Sequence, residues 1–226
     1  MKQYRIGILG GMGPLAGVEL QRLIVELTPA QRDQDHIQVI AFTNPQVPDR
    51  TESLAQDGGE AFLEGIRQSL PVLTAAGADV IAIPCNTTHS RLSDIRAVSP
   101  VPVVDMVGLA FPEIAKGEGC IALLATRGSL QSGVYHLRRP DFPWILPTSE
   151  QEEKIMEVIY GIKGGQKEHV LPMLEEVMAD LKSRGATRFL LGCTELSLLY
   201  TEVVGKGYGV IDPLRLLAAS LVRTAS

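Results

Sequence analysis

AGADVIAIPCNTTH at residues 76–89 and RGATRFLLGCTELS at residues 184–197 read as two versions of one device. In each, a Gly-Ala pair closes a helical pattern and a short apolar run of strand length follows. A cysteine then stands eight positions beyond the glycine, Gly77 to Cys85 and Gly185 to Cys193. Small polar residues come next, Asn86, Thr87 and Thr88 in the first string, Thr194 and then Glu195 in the second. The flanking chain repeats at nearly the same interval: VPVVDMVGLA resembles YGVIDPLRLLA, with Asp105 lying 107 residues before Asp212, against 108 between the cysteines. The glycine loop after RIGIL and the ATRGS loop after CIALL make a candidate fourth pair, at a different offset. Matches that recur in the same order are the signature of an internal duplication, so two pseudo-symmetric lobes are expected.

Outward from these strings, β-branched runs alternate with amphipathic stretches: RIGIL, VELQRLIVEL, QVIAF, EAFLEGIRQSLPVLTAAG, DVIAIP. The alternation resumes at CIALLA and runs through EEKIMEVIYGI and HVLPMLEEVMADLKSRG to RFLLG and GVI. Strands separated by helices imply parallel sheets covered on both faces. The expected fold is therefore α/β, each lobe a parallel sheet flanked by helices, with the site in the cleft between lobes. KGEG at 116–119 carries turn chemistry between two ordered patterns, which divides the chain into lobes 1–115 and 116–212. A last helix from Pro213 to Arg223 has no assigned lobe and could pack back on the first.

Composition narrows the function. The 226 residues suffice for a substantial core, and 45% hydrophobic with 21% charged residues is an ordinary globular profile. A formal net charge of −5, with no run of Lys and Arg, disfavours a nucleic-acid partner. No apolar stretch is long enough to span a bilayer, and the start MKQYRIGILGGMGP passes from basic residues into a strand without a signal-peptide core. The three cysteines form no C-x-x-C pair and no metal-ligand spacing. A reduced cytoplasmic enzyme without metal is the expectation.

Cys85 and Cys193 fall where a strand ends and a helix begins, the carboxyl edge at which open α/β sheets bind ligands. A helix N-terminus there would lower a thiol pKa and hold a carboxylate. A lone cysteine in an apolar strand is more often buried filler, but two in matched repeat positions, each followed by polar residues, point to chemistry. Cys120, at a strand start among Ile121, Ala122 and Leu123, reads as core. His89 reads equally as a group polarising Cys85 and as a packing or capping residue. GILGGMGPL does not satisfy G-x-G-x-x-G from Gly7 or Gly11, and Pro14 suits the first helical turn, so a nucleotide is disfavoured.

GILGGMGPLA at 7–16, NPQVPDR at 44–50, PCNTTH at 84–89 and GCTEL at 192–196 together resemble the motifs of the aspartate/glutamate racemase family, most closely its aspartate branch. The match runs in order over nearly the whole chain. The resemblance implies a two-domain pseudo-symmetric α/β fold, a homodimer, and no pyridoxal phosphate, metal or nucleotide. It puts the paired acid/base thiols on Cys85 and Cys193 and substrate-carboxylate contacts on Arg50 and Lys163. Asn86, Thr87 and Thr194 match the polar positions beside the thiols, and Met12 matches the glycine loop lining the pocket. The implied partner is a small acidic amino acid, aspartate first, with glutamate left open. Two readings compete: a related isomerase, decarboxylase or hydantoin racemase acting on another small carboxylate, and a two-lobe binding protein for an acidic ligand.

Overall fold

A computed structural model describes residues 4–225. The first half builds β1 (Arg5–Gly10), α1 (Pro14–Leu27), β2 (Gln38–Thr43), α2 (Arg50–Asp57), α3 (Glu60–Ala75), β3 (Val80–Ala82), α4 (Leu92–Val98) and α5 (Ala110–Ala115). The second builds β4 (Cys120–Ala125), α6 (Arg127–Gln131), β5 (Trp144–Ile145), α7 (Ser149–Lys163), α8 (Lys167–Ser183), β6 (Ala186–Gly192), α9 (Tyr200–Gly205), β7 (Val210–Ile211) and α10 (Pro213–Ala225). Strands β1 and β4 are nearly continuous apolar runs, buried from their second residue onward. That is the pattern of parallel strands with both faces covered.

The two sheets share one plan. The first runs β2-β1-β3 and the second β5-β4-β6-β7, every pairing parallel. A single bridge from Ile81 to Val103 extends the first sheet where β7 stands in the second. The paired strings therefore occupy matching places, β3 with β6 and the glycine loop after β1 with the Thr126 loop after β4. Gly77 and Gly185 lie just beyond α3 and α8 with φ of 92° and 102°. At that position the chain must turn left-handed to leave a helix, and glycine does so without a Cβ clash.

The last helix of each half crosses to the other. Leu214, Leu217 and Leu221 of α10 bury against Leu20, Leu23 and Ile24 of α1 and against Ile6 and Ile8 of β1. Ala110 and Ile114 of α5 join the core of the second sheet with Ile121, Leu123 and Leu190. The hydrophobic effect thus ties the halves together at both ends, since either exchanged helix would expose its apolar face if the halves parted.

Candidate active site

The loops that leave the carboxyl ends of β1, β2, β3, β4 and β6 face the same cleft. The turn from β1 to α1 brings Met12; the passage from β2 to α2 brings Asp49, Arg50 and Thr51. Beyond β3 come Cys85, Asn86 and Thr87; beyond β4, Thr126; beyond β6, Cys193, Thr194 and Glu195. Lys163 reaches in as the last residue of α7. Together these line one narrow cleft. The structure thus gathers Met12, Arg50, Cys85, Asn86, Thr87, Lys163, Cys193 and Thr194, and adds Asp49, Thr51, Thr126 and Glu195.

Both cysteines are buried and reduced. The thiols do not sit at α-helix N-termini as the sequence suggests. Each is followed by a short 3-10 turn, Thr87–Arg91 after Cys85 and Leu196–Leu199 after Cys193. Nor is Cys193 depressed in pKa: burial pushes its thiol well above the ordinary value, and the neighbouring Glu195 carboxylate adds to the rise. The Cys193 S–H donates to Glu195 Oε2 at 2.9 Å, while Glu195 Oε1 accepts the Gly13 N–H at 2.9 Å.

The cationic side of the cavity is built by α2. Asp49 caps that helix by accepting the Thr51 and Glu52 N–H groups, a cap worth about 1 kcal/mol. Burial raises the Asp49 carboxyl, but the Glu52 N–H, Lys163 and Arg50 outweigh it and hold it below its ordinary value. Lys163 Nζ lies 3.7 Å from Asp49 Oδ2 and 4.8 Å from the centre of the Tyr160 ring. Arg50 is buried, and its guanidinium donates to the Val47 and Pro48 carbonyls at 3.2 and 3.0 Å. Asn86 accepts the Tyr135 hydroxyl through Oδ1, whereas its buried Nδ2 has no hydrogen-bond partner among the described residues. Arg50 donors that end on neutral carbonyls and an Asn86 amide N–H₂ with no partner among the described residues leave this side of the cleft rich in donors.

His89 does not face the Cys85 sulfur. Its Nδ1 bonds the Cys85 carbonyl at 2.8 Å and its Nε2 accepts the Met106 N–H at 3.1 Å, which defines the Nδ1–H tautomer. Burial holds its pKa below the ordinary value. Of the two readings open in the sequence, the capping one holds. Cys120 is half-buried at the start of β4 and does not line the cavity. Glu195 stands inside a quoted motif, but its part depends on meeting Gly13, 182 positions away. Thr126 and Asp49 went unremarked in the sequence; in the structure each caps a helix, Thr126 through the Ser129 N–H.

The two parallel sheets flanked by helices, with a cysteine from each half at one cleft, fit a family of isomerases, and the chain belongs to it: the Asp/Glu/hydantoin racemase family model matches residues 9–221. It is an amino-acid racemase by family. The aspartate racemase of Picrophilus torridus is 27% identical, with a TM-score of 0.87 over 98% of this chain and 94% of that one. The broad specificity amino-acid racemase RacX of Bacillus subtilis is 24% identical over 226 residues, 97% of each chain. Glutamate racemase of Francisella tularensis, solved with D-glutamate, shares the fold at a TM-score of 0.72 and 17% identity, covering 99% of this chain and 81% of its own.

Proposed function

We propose that the protein interconverts L- and D-aspartate without a cofactor, Cys85 and Cys193 acting as the acid/base pair on opposite faces of Cα. The observation that carries this reading is a narrow cleft lined by a cysteine from each half and by Arg50, Asn86 and Lys163. Arg50 and the Asn86 amide take the α-carboxylate, and Lys163 takes the side-chain carboxylate. A thiolate removes the Cα proton from one face while the opposite thiol delivers its own proton to the other, so the Cα configuration inverts and the two sulfurs exchange protonation states. Negative charge moving onto the α-carboxylate in the transition state is stabilised by donors already in place, inside a cleft that limits water. Thr87 and Thr194 shape the polar walls beside the thiols, and Met12 closes the glycine-loop side. We propose further that the enzyme is a cytoplasmic homodimer whose lobes are 1–115 joined by 213–226, and 116–212.

The test is chiral chromatography of an amino-acid panel with chelator present and no pyridoxal phosphate. Aspartate racemises fastest; activity lost on chelation and restored by one metal, or equal turnover of alanine and aspartate, overturns the reading. Cys85→Ser and Cys193→Ser should each lose racemisation by about 10²–10⁴-fold or more, since a hydroxyl is too weak a base near neutrality. Residual exchange of Cα–H with solvent deuterium should show opposite enantiomer preference in the two variants, read by mass spectrometry. A Cys193→Ser enzyme that racemises at the wild-type rate would replace the pair with one-cysteine chemistry.

A further inference from the structure

The residues one and two places after each cysteine reach across the cleft to the other half. Asn86 accepts the hydroxyl of Tyr135, and the Thr194 hydroxyl donates to the Pro84 carbonyl at 3.1 Å. The Thr87 hydroxyl pairs with those of Thr126 and Ser129 at 3.0 and 2.9 Å, beyond β4; Glu195 accepts the Gly13 N–H, beyond β1. The first contact of each half differs in partner and direction, but the second is reciprocal: Thr87 meets the loop after β4 and Glu195 the loop after β1. Thr87 is a neutral hydroxyl, whereas its counterpart Glu195 is a carboxylate whose second oxygen accepts the Cys193 S–H.

We infer that Glu195 is a positioning residue that makes the two thiols unequal: it keeps the resting proton on Cys193, so that Cys85 is the thiol that first acts as base. The inference rests on the two-thiol reading above. An ordinary carboxyl is a stronger acid than an ordinary thiol by about four pKa units, so the proton shared between Sγ and Oε2 belongs to the sulfur, which donates it. The Gly13 N–H fixes the carboxylate, which is buried with 4% exposure and cannot swing away into water. Other charged or titratable groups facing this point are Lys163 at the end of α7, Asp49 and Arg50 at the start of α2, Cys85, and the buried Tyr135 phenol. Lys163 draws the Cys193 thiol down, and burial and Glu195 outweigh it.

The consequence is a directional cycle. When Cys85 takes the Cα proton and Cys193 gives its own to the opposite face, Cys85 becomes the thiol. Cys193 becomes a thiolate in contact with Glu195. Two anions at hydrogen-bond distance repel, so this second state is sparsely populated and strongly basic. It is reset by taking a proton from the other enantiomer or from solvent. Racemisation has an equilibrium constant of one, which forces kcat/KM to be equal in both directions, but kcat and KM separately differ between enantiomers by a common factor.

The test follows each thiolate by ultraviolet absorbance against pH in full-length protein carrying Cys120→Ser. Cys85→Ser added to that chain isolates Cys193, and Cys193→Ser isolates Cys85. The Cys193 titration should be the later of the two. Glu195→Gln, whose amide still accepts from Gly13 but can donate to sulfur, should move it down by about one pH unit or more, a roughly tenfold gain in thiolate at fixed pH. Glu195→Asp, which keeps the charge, should retain most of the elevation. In the enzyme with both cysteines, Glu195→Gln should shrink the difference in kcat between enantiomers. A Cys193 titration earlier than that of Cys85, no movement with Gln, or equal movement with Gln and Asp would each overturn the inference. These titrations need no turnover, so they succeed or fail separately from the loss of racemisation that tests the thiol pair.

Discussion

Arg50 keeps 8% of its surface exposed and donates only to backbone carbonyls. A charge taken that far out of water is costly unless paired, and under the proposed function the substrate carboxylate joins Asp49 in offsetting it. Its planar fork can grip a carboxylate through two parallel bonds, which an ammonium cannot reproduce. Arg50→Lys should lower kcat/KM for aspartate by roughly tenfold or more, with the melting temperature little changed. Steady-state kinetics beside a thermal melt checks this, and wild-type turnover in the variant would remove Arg50 from the binding wall. His89 makes the opposite lesson at the same scale. It stands four residues from Cys85, yet both ring nitrogens are consumed by backbone groups that hold the Cys85 turn against the segment leading to α5.

Among the elements, α10 is held by a residue with an unusual cost. Asp212 precedes the helix, and its Oδ1 accepts the Leu214 N–H and the Ser197 hydroxyl at 2.9 and 2.8 Å. Its Oδ2 is buried without a hydrogen bond, the Arg215 Nε standing off at 3.7 Å. Burial raises the carboxyl to about 6 despite these partners. The folded chain therefore binds more protons than the unfolded one from roughly pH 4 to pH 6, and stability is lost as pH rises through that window. Asp212→Asn keeps the Oδ1 acceptor and does not titrate. Relative to this variant, the wild type should gain stability on the order of 2 kcal/mol as pH falls from 7 to 4. Melting both proteins across that range measures it, and a constant difference would show that burial does not raise the Asp212 carboxyl above its unfolded value. Asp105, the counterpart in the first half, is held below its ordinary value instead. Burial raises it, but Arg138, bonded to both of its oxygens, outweighs that cost.

At the scale of the molecule, the exchanged helices mean that neither half owns a complete core. Removing 213–225 would uncover Leu20, Leu23 and Ile24 of α1 together with part of β1, and each such side chain contributes about 1.5–3 kcal/mol when buried. That loss exceeds the stability of an ordinary domain within a few residues. A chain ending at Ile211 should fail to fold, and residues 1–115 made alone should not give a cooperative melt. The intact protein should unfold in one transition by circular dichroism and by Trp144 fluorescence. A folded, cooperative 1–115 fragment would show that the first half is autonomous.

Much of this protein is legible along the chain because the information is local. Strand length, a glycine that must leave a helix left-handed, and polar residues just past a strand end are properties of a dozen neighbouring residues. The duplication lets two such strings corroborate each other, so the α/β plan, the repeat and the matched places of Cys85 and Cys193 follow from the sequence, whereas Arg50 and Lys163 were placed beside them only by the family resemblance. What it leaves open depends on which distant groups meet. His89 was ambiguous because its ring direction is set by Met106 across a turn. The short β5, the bridge at Val103 and the exchange of α5 and α10 arise from pairings that no local pattern encodes. The raised thiol of Cys193 could not be anticipated from its place after a strand, since a helix-end dipole and a buried carboxylate push in opposite directions. Only the packed structure shows that a 3-10 turn replaces the helix end and that Glu195 is pinned beside the sulfur by Gly13 from the other half.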